Sequence, residues 1–477
     1  MRTLLWFRGK DLRLADHLAL RSATDQGELI PLFVLDPFFF APARAQATPY
    51  RIQFLLDSLR ELELALAQRG SRLVLAEGKS HELVPRLARQ WQVDRVVAQR
   101  WCAPLGRERD RRVAEALEVP FELFEGETLH VPGTLRTTQG KPFAVFSAFA
   151  RAFSAGPTPP APLPAPERLP ALPRGVSLPS SLPGLQQLGL QRNELVLTGG
   201  EQRARERLAA FLQGPARNYH EARDRLDLDA TSRLSADLKF GTLSAREVWT
   251  EARAALSRRA RPAVTSFLNE LVWREFAHAL LWEHPTLLEE PARAEWERFP
   301  WRGEGTEWQA WVAGQTGYPV VDAAARQLLA SGFVPNRARM IAASFLTKHL
   351  LVDYRLGEAH YQRWLTDGDW ANNNLGWQWC AGCGSDAQPY FRVFNPTLQA
   401  QKFDPEGRYV RRWVPELARL PAAHLHTPWL APASALQAAG VRLGRDYPAP
   451  IVDHAAARQR FLEVAKKHFG VGRAPSA

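Results

Sequence analysis

The sequence predicts two domains of different class: an α/β N-terminal domain on a doubly wound parallel sheet, and an all-α C-terminal domain. Three observations predict it. Short apolar runs alternate with helix-length stretches over residues 1–130. A proline-rich segment follows. From about residue 200 the apolar spacing changes to the 3.6-residue period of helices. At 477 residues the chain is also too long for one compact core.

The runs TLLWF (3–7), LIPLFVL (29–35), RLVLAEG (72–78) and DRVVAQ (94–99) are of strand type. Helix-like stretches at 51–69 and 81–91 lie between them, and 107–117 follows the last. Strands separated by helices of that length imply parallel pairing, with ligands at the carboxyl ends of the strands. Neither G-x-G-x-x-G nor a P-loop is present. Residues 131–199 read as a linker; within them, 154–185 hold ten prolines and few bulky residues, a composition expected not to pack. The region 200–477 is expected to be helical, with period 3.6 in 201–213, 244–257, 264–282, 320–331 and 335–351 and a basic last helix at 455–469.

Composition narrows the function classes. No apolar run reaches transmembrane length, and the charged N-terminus lacks a signal-peptide core. Three cysteines make no disulfide framework, so a cytoplasmic protein is expected. The net charge of +11 suits a polyanionic partner such as nucleic acid, although a general Arg-rich bias gives the same excess. Eleven of sixteen tryptophans fall between 273 and 413. Some are core rings; the clustering also fits an aromatic cofactor, stacked bases, or both.

Four segments concentrate unusual chemistry. In 219–244, Thr231, Ser232 and Ser235 precede a helix whose N–H groups can hold a pyrophosphate or simply be capped. In 267–282, Glu270, Trp273 and Arg274 share a helix face, as a base-edge acceptor beside a stacking ring or as a surface Glu–Arg pair. In 334–350, Arg337 and Arg339 lie near a helix start, and Asn336 and Met340 share a face. In DWANNNLGWQWCAGC, Trp377 and Trp379 point to nearly opposite sides, and Asn373 lies one turn before Trp377. Cys380 and Cys383 form a lone C-x-x-C. A zinc or iron–sulfur site needs about four ligands, so no metal is expected.

The segments TSRLSADLKFG, NELVWREF, GYPVVDAAARQL, NRARMIAASFLTKHLL and DWANNNLGWQW…DAQPYFRVFNP…QKFDPEG resemble the DNA photolyase/cryptochrome family, most closely class I cyclobutane pyrimidine dimer photolyases. LLWFRGKDLRLADHLAL resembles that family's first strand and helix, and the likeness runs from about residue 1 to 465. The resemblance implies an α/β domain, a long linker and a helical domain holding FAD. It also implies light-driven electron transfer from reduced FAD into a dimer flipped out of DNA.

Carried over residue by residue, Tyr219, Thr231, Ser232, Leu234 and Ser235 would surround the FAD phosphates and ribityl chain. Arg339 with Asp367 would lie against the isoalloxazine, with Asp369 nearby. Asn373 falls where repair enzymes place an Asn beside flavin N5; plant cryptochromes carry Asp there and animal ones Cys. Glu270, Asn336 and Met340 would meet the dimer, flanked by Trp273 and Trp379, with Arg223, Arg274 and Arg337 holding the strand or pocket wall. Members that repair (6-4) photoproducts have histidines at the positions of Asn336 and Met340, so cyclobutane dimers are expected. The family's electron wire would be Trp377, Tyr354 and Trp301, with Tyr at a position usually held by Trp; Trp364 or Trp370 is the alternative carrier. Gly106 stands where folate-binding relatives have Glu, and APLGRERDRRV is closer to relatives holding FMN or a deazaflavin as antenna. The partner would be dimer-containing DNA and the protein a monomer. A cryptochrome-like photoreceptor is the competing reading; such proteins often carry long C-terminal extensions, whereas this chain stops soon after its last helix.

Overall fold

The computed structural model describes residues 1–25, 27–177, 179–255 and 261–470. The chain divides into two compact units. The first comprises Met1–His220, Ser232–Pro285 and Thr366–Ala371; the second comprises Glu221–Thr231, Thr286–Leu365 and Asn372–Ala477.

The first unit is built on five parallel strands: β1 (Arg2–Phe7), β2 (Glu28–Leu35), β3 (Val74–Glu77), β4 (Arg95–Gln99) and β5 (Phe121–Phe124). Their order in the sheet is β3-β2-β1-β4-β5, so the winding direction reverses between β1 and β4. Helices α1 (Leu18–Thr24), α2 (Pro49–Gln68), α3 (Ser80–Gln90) and α4 (Pro104–Ala116) make the crossovers. Alternate residues serve opposite faces, as the strand period of two requires. Leu5, Phe7, Phe33 and Leu75 pack with α1 and α2, while Leu4, Trp6, Ile30 and Val96 pack with Leu83, Val84 and Leu87 of α3. Each strand read from the sequence is present; β5, whose residues are only half-buried, carries a weaker apolar signal.

The proline-rich segment does pack, contrary to expectation. Leu169 is buried and its N–H donates to the Arg69 carbonyl; Asp16 N–H donates to the Leu163 carbonyl, and Ser180 forms an antiparallel bridge with Leu75 of β3. Single leucines spaced along an extended chain suffice to pin it. The unit also holds α5 (Phe146–Ala155), α6 (Glu201–Gln213), α7 (Ser235–Phe240), α8 (Ala245–Ala254) and α9 (Arg261–Glu283). Residues 256–257 of the expected 244–257 helix lie outside the described residues.

The second unit is helical. Its core joins α10 (Thr306–Ala313), α11 (Pro319–Ser331), α12 (Asn336–Ser344), α13 (Tyr354–Trp364), α14 (Trp370–Ala381, of which residues from Asn372 belong here) and α15 (His454–Phe469). The 335–351 run is not one α-helix: a π-turn, Phe345–His349, follows α12 and places Lys348 and His349 in the core. Among the described residues no helix is long and apolar enough to cross a membrane.

Candidate functional site

The hydroxyls of 231–235 do not cap a helix. Leu234 is the N-cap of α7 and makes no side-chain cap bond; Ser232 Oγ accepts only a long 3.5 Å contact from Leu234 N–H. Arg233 is left-handed (φ 53°) and Leu234 follows at φ −85°, ψ 0°. Alternation of that kind turns successive N–H groups toward one side, a backbone nest suited to anions. Thr231 and Ser232 are half-buried and Ser235 exposed, whereas buried Tyr219 packs edge-on against Phe211 and Phe267.

On α9, Glu270 is half-buried and Trp273 lies face to face with Phe146, ring centroids 3.5 Å apart. Arg274 is no surface residue. It is buried, donates to the Glu127 carbonyl at 2.8 Å and lies 3.6 Å from Glu275. Asp367 is buried near Arg51, whose Nη1 donates to the Gly368 carbonyl; burial lowers Arg51 to about 10, with Asp367 opposing the fall. Asp369 belongs to a fully buried ionic cluster. Lys10 Nζ donates to Glu127 Oε1 and lies 3.3 Å from Asp369 Oδ2; His278 Nε2 lies 3.3 Å from the same Glu127 oxygen. Burial opposes the charge on Lys10, but the two carboxylates outweigh it and raise its pKa; burial likewise opposes the Asp369 charge, and Lys10 with His278 holds it ionised. Glu127, His278 and Asp369 could ligate a metal by spacing, but the Lys10 ammonium already occupies the cation's place between the carboxylates.

At the carboxyl ends of β1 and β4, where the winding reverses, Trp101 lies beneath Arg8 and Arg109. Arg8 Nε and Nη2 are buried without hydrogen-bond partners. A side chain on Gly106 would meet Trp101 Cβ at 2.6 Å and Cε3 at 2.7 Å, so a carboxylate-bearing residue has no room there.

In the second unit, Asp224 gathers two of the expected arginines. Its Oδ2 accepts from Arg337 Nη2 at 2.7 Å, and Arg223 lies 4.0 Å from Oδ1. Arg339 donates to the Val334 carbonyl at 2.7 Å. Asn336 is exposed and its amide reaches Met340 Sδ at 3.7 Å, so the shared face is real.

Helix α14 supplies the densest polar network. Asn373 Nδ2 donates to the Glu358 carbonyl at 3.0 Å and to Gln362 Oε1 at 3.3 Å, so this buried amide finds protein partners for its N–H groups. Asn374 Nδ2 reaches the Leu287 carbonyl at 2.7 Å and both Glu358 oxygens at 3.2 Å, and Gln378 Nε2 bonds the Leu287 and Glu290 carbonyls. Burial raises Glu358 to about 7. Sequence reasoning missed Glu358, Gln362, Asn374 and Gln378. A row of amides on one helix was the available signal, since buried amides need partners.

Trp377 is buried and Trp379 half-buried, on opposite sides of α14 as its period requires. Cys380 and Cys383 are buried thiols, Cys380 pushed up to about 12 by burial. Trp301 stacks on Trp296 at 5.8 Å. Tyr354 is buried; among the described residues it makes no ring contact with Trp377 or Trp301, and its hydroxyl has no hydrogen-bond partner. Trp364 packs beside Arg363, and Trp370 is exposed. Trp377 does contact Trp311, a ring the sequence reading left aside.

The family described as DNA photolyase matches residues 3–167, and the FAD binding domain of DNA photolyase matches residues 267–467. A deoxyribodipyrimidine photo-lyase of Agrobacterium fabrum is 40% identical over 96% of each chain. The chain belongs to the DNA photolyase family. Among solved photolyase structures, a class III enzyme from Agrobacterium tumefaciens covers 98% of both chains with TM-score 0.92 at 38% identity. A cryptochrome of Synechocystis covers 97% of this chain and 99% of its own at TM-score 0.89 and 29% identity. A photolyase from Sulfolobus tokodaii, solved with two FAD molecules, covers 98% of this chain and all of its own at TM-score 0.83 and 29% identity. Glu270, Asn336 and the whole α14 network fall inside the matched FAD-binding region; Tyr219 and the 231–235 nest precede it.

Proposed function

We propose that the protein is a deoxyribodipyrimidine photo-lyase that uses light and FAD to split cyclobutane pyrimidine dimers in DNA. The carrying observation is the orientation of Asn373. Two acceptors on α13 take its N–H groups, which leaves Oδ1 as the amide atom free to face a ligand. A carbonyl acceptor suits the N–H of reduced flavin N5. The 231–235 nest fits the charge of the FAD pyrophosphate, with Tyr219, Thr231, Ser232, Leu234 and Ser235 around it. Arg339, Asp367 and Asp369 complete the proposed cofactor set. FAD, when bound reduced and excited by light, supplies the electron that opens the cyclobutane ring.

Glu270 is proposed to hold the dimer's polar edge, with Asn336 and Met340, and Trp273 and Trp379 to flank it. Neither Asn336 nor Met340 is a histidine, which supports cyclobutane over (6-4) substrates. Arg223 and Arg337, drawn together by Asp224, are proposed for the strand, and Arg274 for the wall. Trp377 is proposed as the first electron donor for photoreduction, with Tyr354 and Trp301 as the further carriers that the resemblance implies. For the antenna, the crowding at Gly106 speaks against folate, and the unpartnered Arg8 nitrogens suit an anionic FMN or a deazaflavin. We place residues 1–130 and 200–477 as domains joined by 131–199, in a cytoplasmic monomer; the three buried free cysteines agree with a reducing compartment.

The test is repair of an oligonucleotide with a single thymine cyclobutane dimer by protein carrying reduced FAD. Thymine is expected back under blue light and not in the dark. No repair by loaded protein would favour the photoreceptor reading.

A further inference from the structure

The ring arrangement of the second unit offers a path for oxidising equivalents that does not pass through Tyr354. Trp377 meets Trp311 edge to face, with centroids 6.1 Å apart. Trp311 in turn stacks on Trp308 at 5.5 Å and 18°. The three rings therefore form a continuous run from α14 to α10. Exposure is 3% at Trp377, 1% at Trp311 and 7% at Trp308, so Trp308 is the most exposed of the three rings, and it follows the exposed stretch 302–306.

We propose that a hole created on Trp377 leaves through Trp311 to Trp308, making α10 the terminus of the photoreduction wire. The proposal rests on Trp377 being the donor to light-excited FAD, as set out above. Trp377 gives up one electron; Trp311 refills Trp377, and Trp308 refills Trp311. The hole ends as a neutral radical on Trp308 after its indole proton passes to water, and a small thiol in solution restores the ring by one electron and one proton.

Hydrogen bonding decides between the branches. A phenol is oxidised readily only if its proton leaves at the same time. The Tyr354 hydroxyl is buried without an acceptor, and burial raises its pKa well above the usual phenol value. Tyr361, which also touches Trp377, has the same defect: its hydroxyl is buried and unpartnered. Indoles carry a hole as the cation and need no base. Trp311 Nε1–H donates to the Ala342 carbonyl at 3.1 Å, which steadies the positive ring and cannot take its proton. Trp308 has no protein acceptor for its N–H among the described residues, and that N–H is not sealed from water. Trp301, stacked on Trp296 and tilted against Phe299, belongs to a separate aromatic group that makes no ring contact with Trp377 or Trp311 among the described residues.

The experiment is flash photolysis of the FAD-loaded protein with oxidised flavin, reading the tryptophanyl radical, with steady-state photoreduction in the presence of thiol alongside. Trp311→Phe and Trp308→Phe are each expected to shorten the radical's lifetime and slow photoreduction by about tenfold or more. Flavin content and melting temperature establish that both variants are folded and loaded. Trp308 lies at the end of the run, so its variant keeps the test valid if Trp311→Phe does not fold. A long-lived tryptophanyl radical in Trp308→Phe, or its loss in Tyr354→Phe with retention in Trp308→Phe, overturns the proposal. Trp377→Phe with undiminished photoreduction overturns the donor assignment beneath it. Dimer repair by chemically reduced wild-type protein is measured separately, so a failed wire is not mistaken for a failed repair function.

Discussion

Gly357 of α13 lies directly under the Trp377 indole. A Cβ there would collide with Trp377 Cη2 and meet Leu346 Cδ2 at 2.7 Å. Neither neighbour is a flexible surface chain; Leu346 is fully buried and Trp377 nearly so. Gly357→Ala is therefore expected to lose about 1–3 kcal/mol of stability by overpacking, and thermal unfolding checks it. Glu358, next in the chain, gives a second prediction. Burial raises its pKa to about 7, against an unfolded value near 4.5. The folded state thus holds a proton that the unfolded state releases, and stability from this group is lost as pH rises from about 4.5 through 7. Glu358→Gln keeps an acceptor for Asn374 and removes the titration. Relative to wild type it is expected to gain up to about 3 kcal/mol above pH 7, with no gain at pH 4. Melting temperatures across that range decide it; equal pH slopes for the two proteins would refute the assignment.

At the scale of elements, α15 is fastened to the π-turn by a histidine pair. His349 Nε2 and His454 Nδ1 are 2.8 Å apart, and Arg460 donates to the His349 carbonyl. One shared proton suits this contact and two do not. Burial, then the neighbouring His454, lowers His349 to about 3; burial lowers His360 on α13 to about 4. For lowered histidines the stability is present above the unfolded pKa near 6.5 and is lost as pH falls toward the folded values. Acidification from pH 7 to 4.5 is expected to lower the melting temperature, and His454→Gln to reduce that drop; an unaltered acid slope in His454→Gln would remove the pair as its cause. These contacts mark the limit of what the sequence discloses. Strand runs such as LIPLFVL and helix 201–213 were legible because each repeats one period without interruption. The π-turn was not, since its apolar residues continue the helical period of α12 while its hydrogen bonds do not. The Asn373–Trp377 spacing was legible on α14, but its partners Glu358 and Gln362 lie on another helix with no periodic signature. The partner of Arg274 was hidden for a similar reason: its acceptor, the Glu127 carbonyl, is backbone far away in sequence.

For the whole molecule, the formal charge of +11 gives the DNA reading a quantitative form. If the bound strand has about six phosphates neutralised, affinity for dimer-containing DNA should fall roughly 1,000-fold between about 50 and 200 mM salt. Fluorescence anisotropy at several salt concentrations yields the slope. A flat response would mean that the basic excess is compositional and the contact mostly apolar. The proline-rich segment, residues 154–185, forms a strap that bears on one edge of the first unit's sheet. Edge strand β3 would otherwise present a free row of peptide groups, a template on which another chain can add a strand. Ser180 already bridges Leu75 there, and ten prolines between 154 and 185 deprive the strap of many of the N–H donors that a further strand would need. What reads as a connector thus covers part of that sheet edge and offers few N–H donors to a further strand.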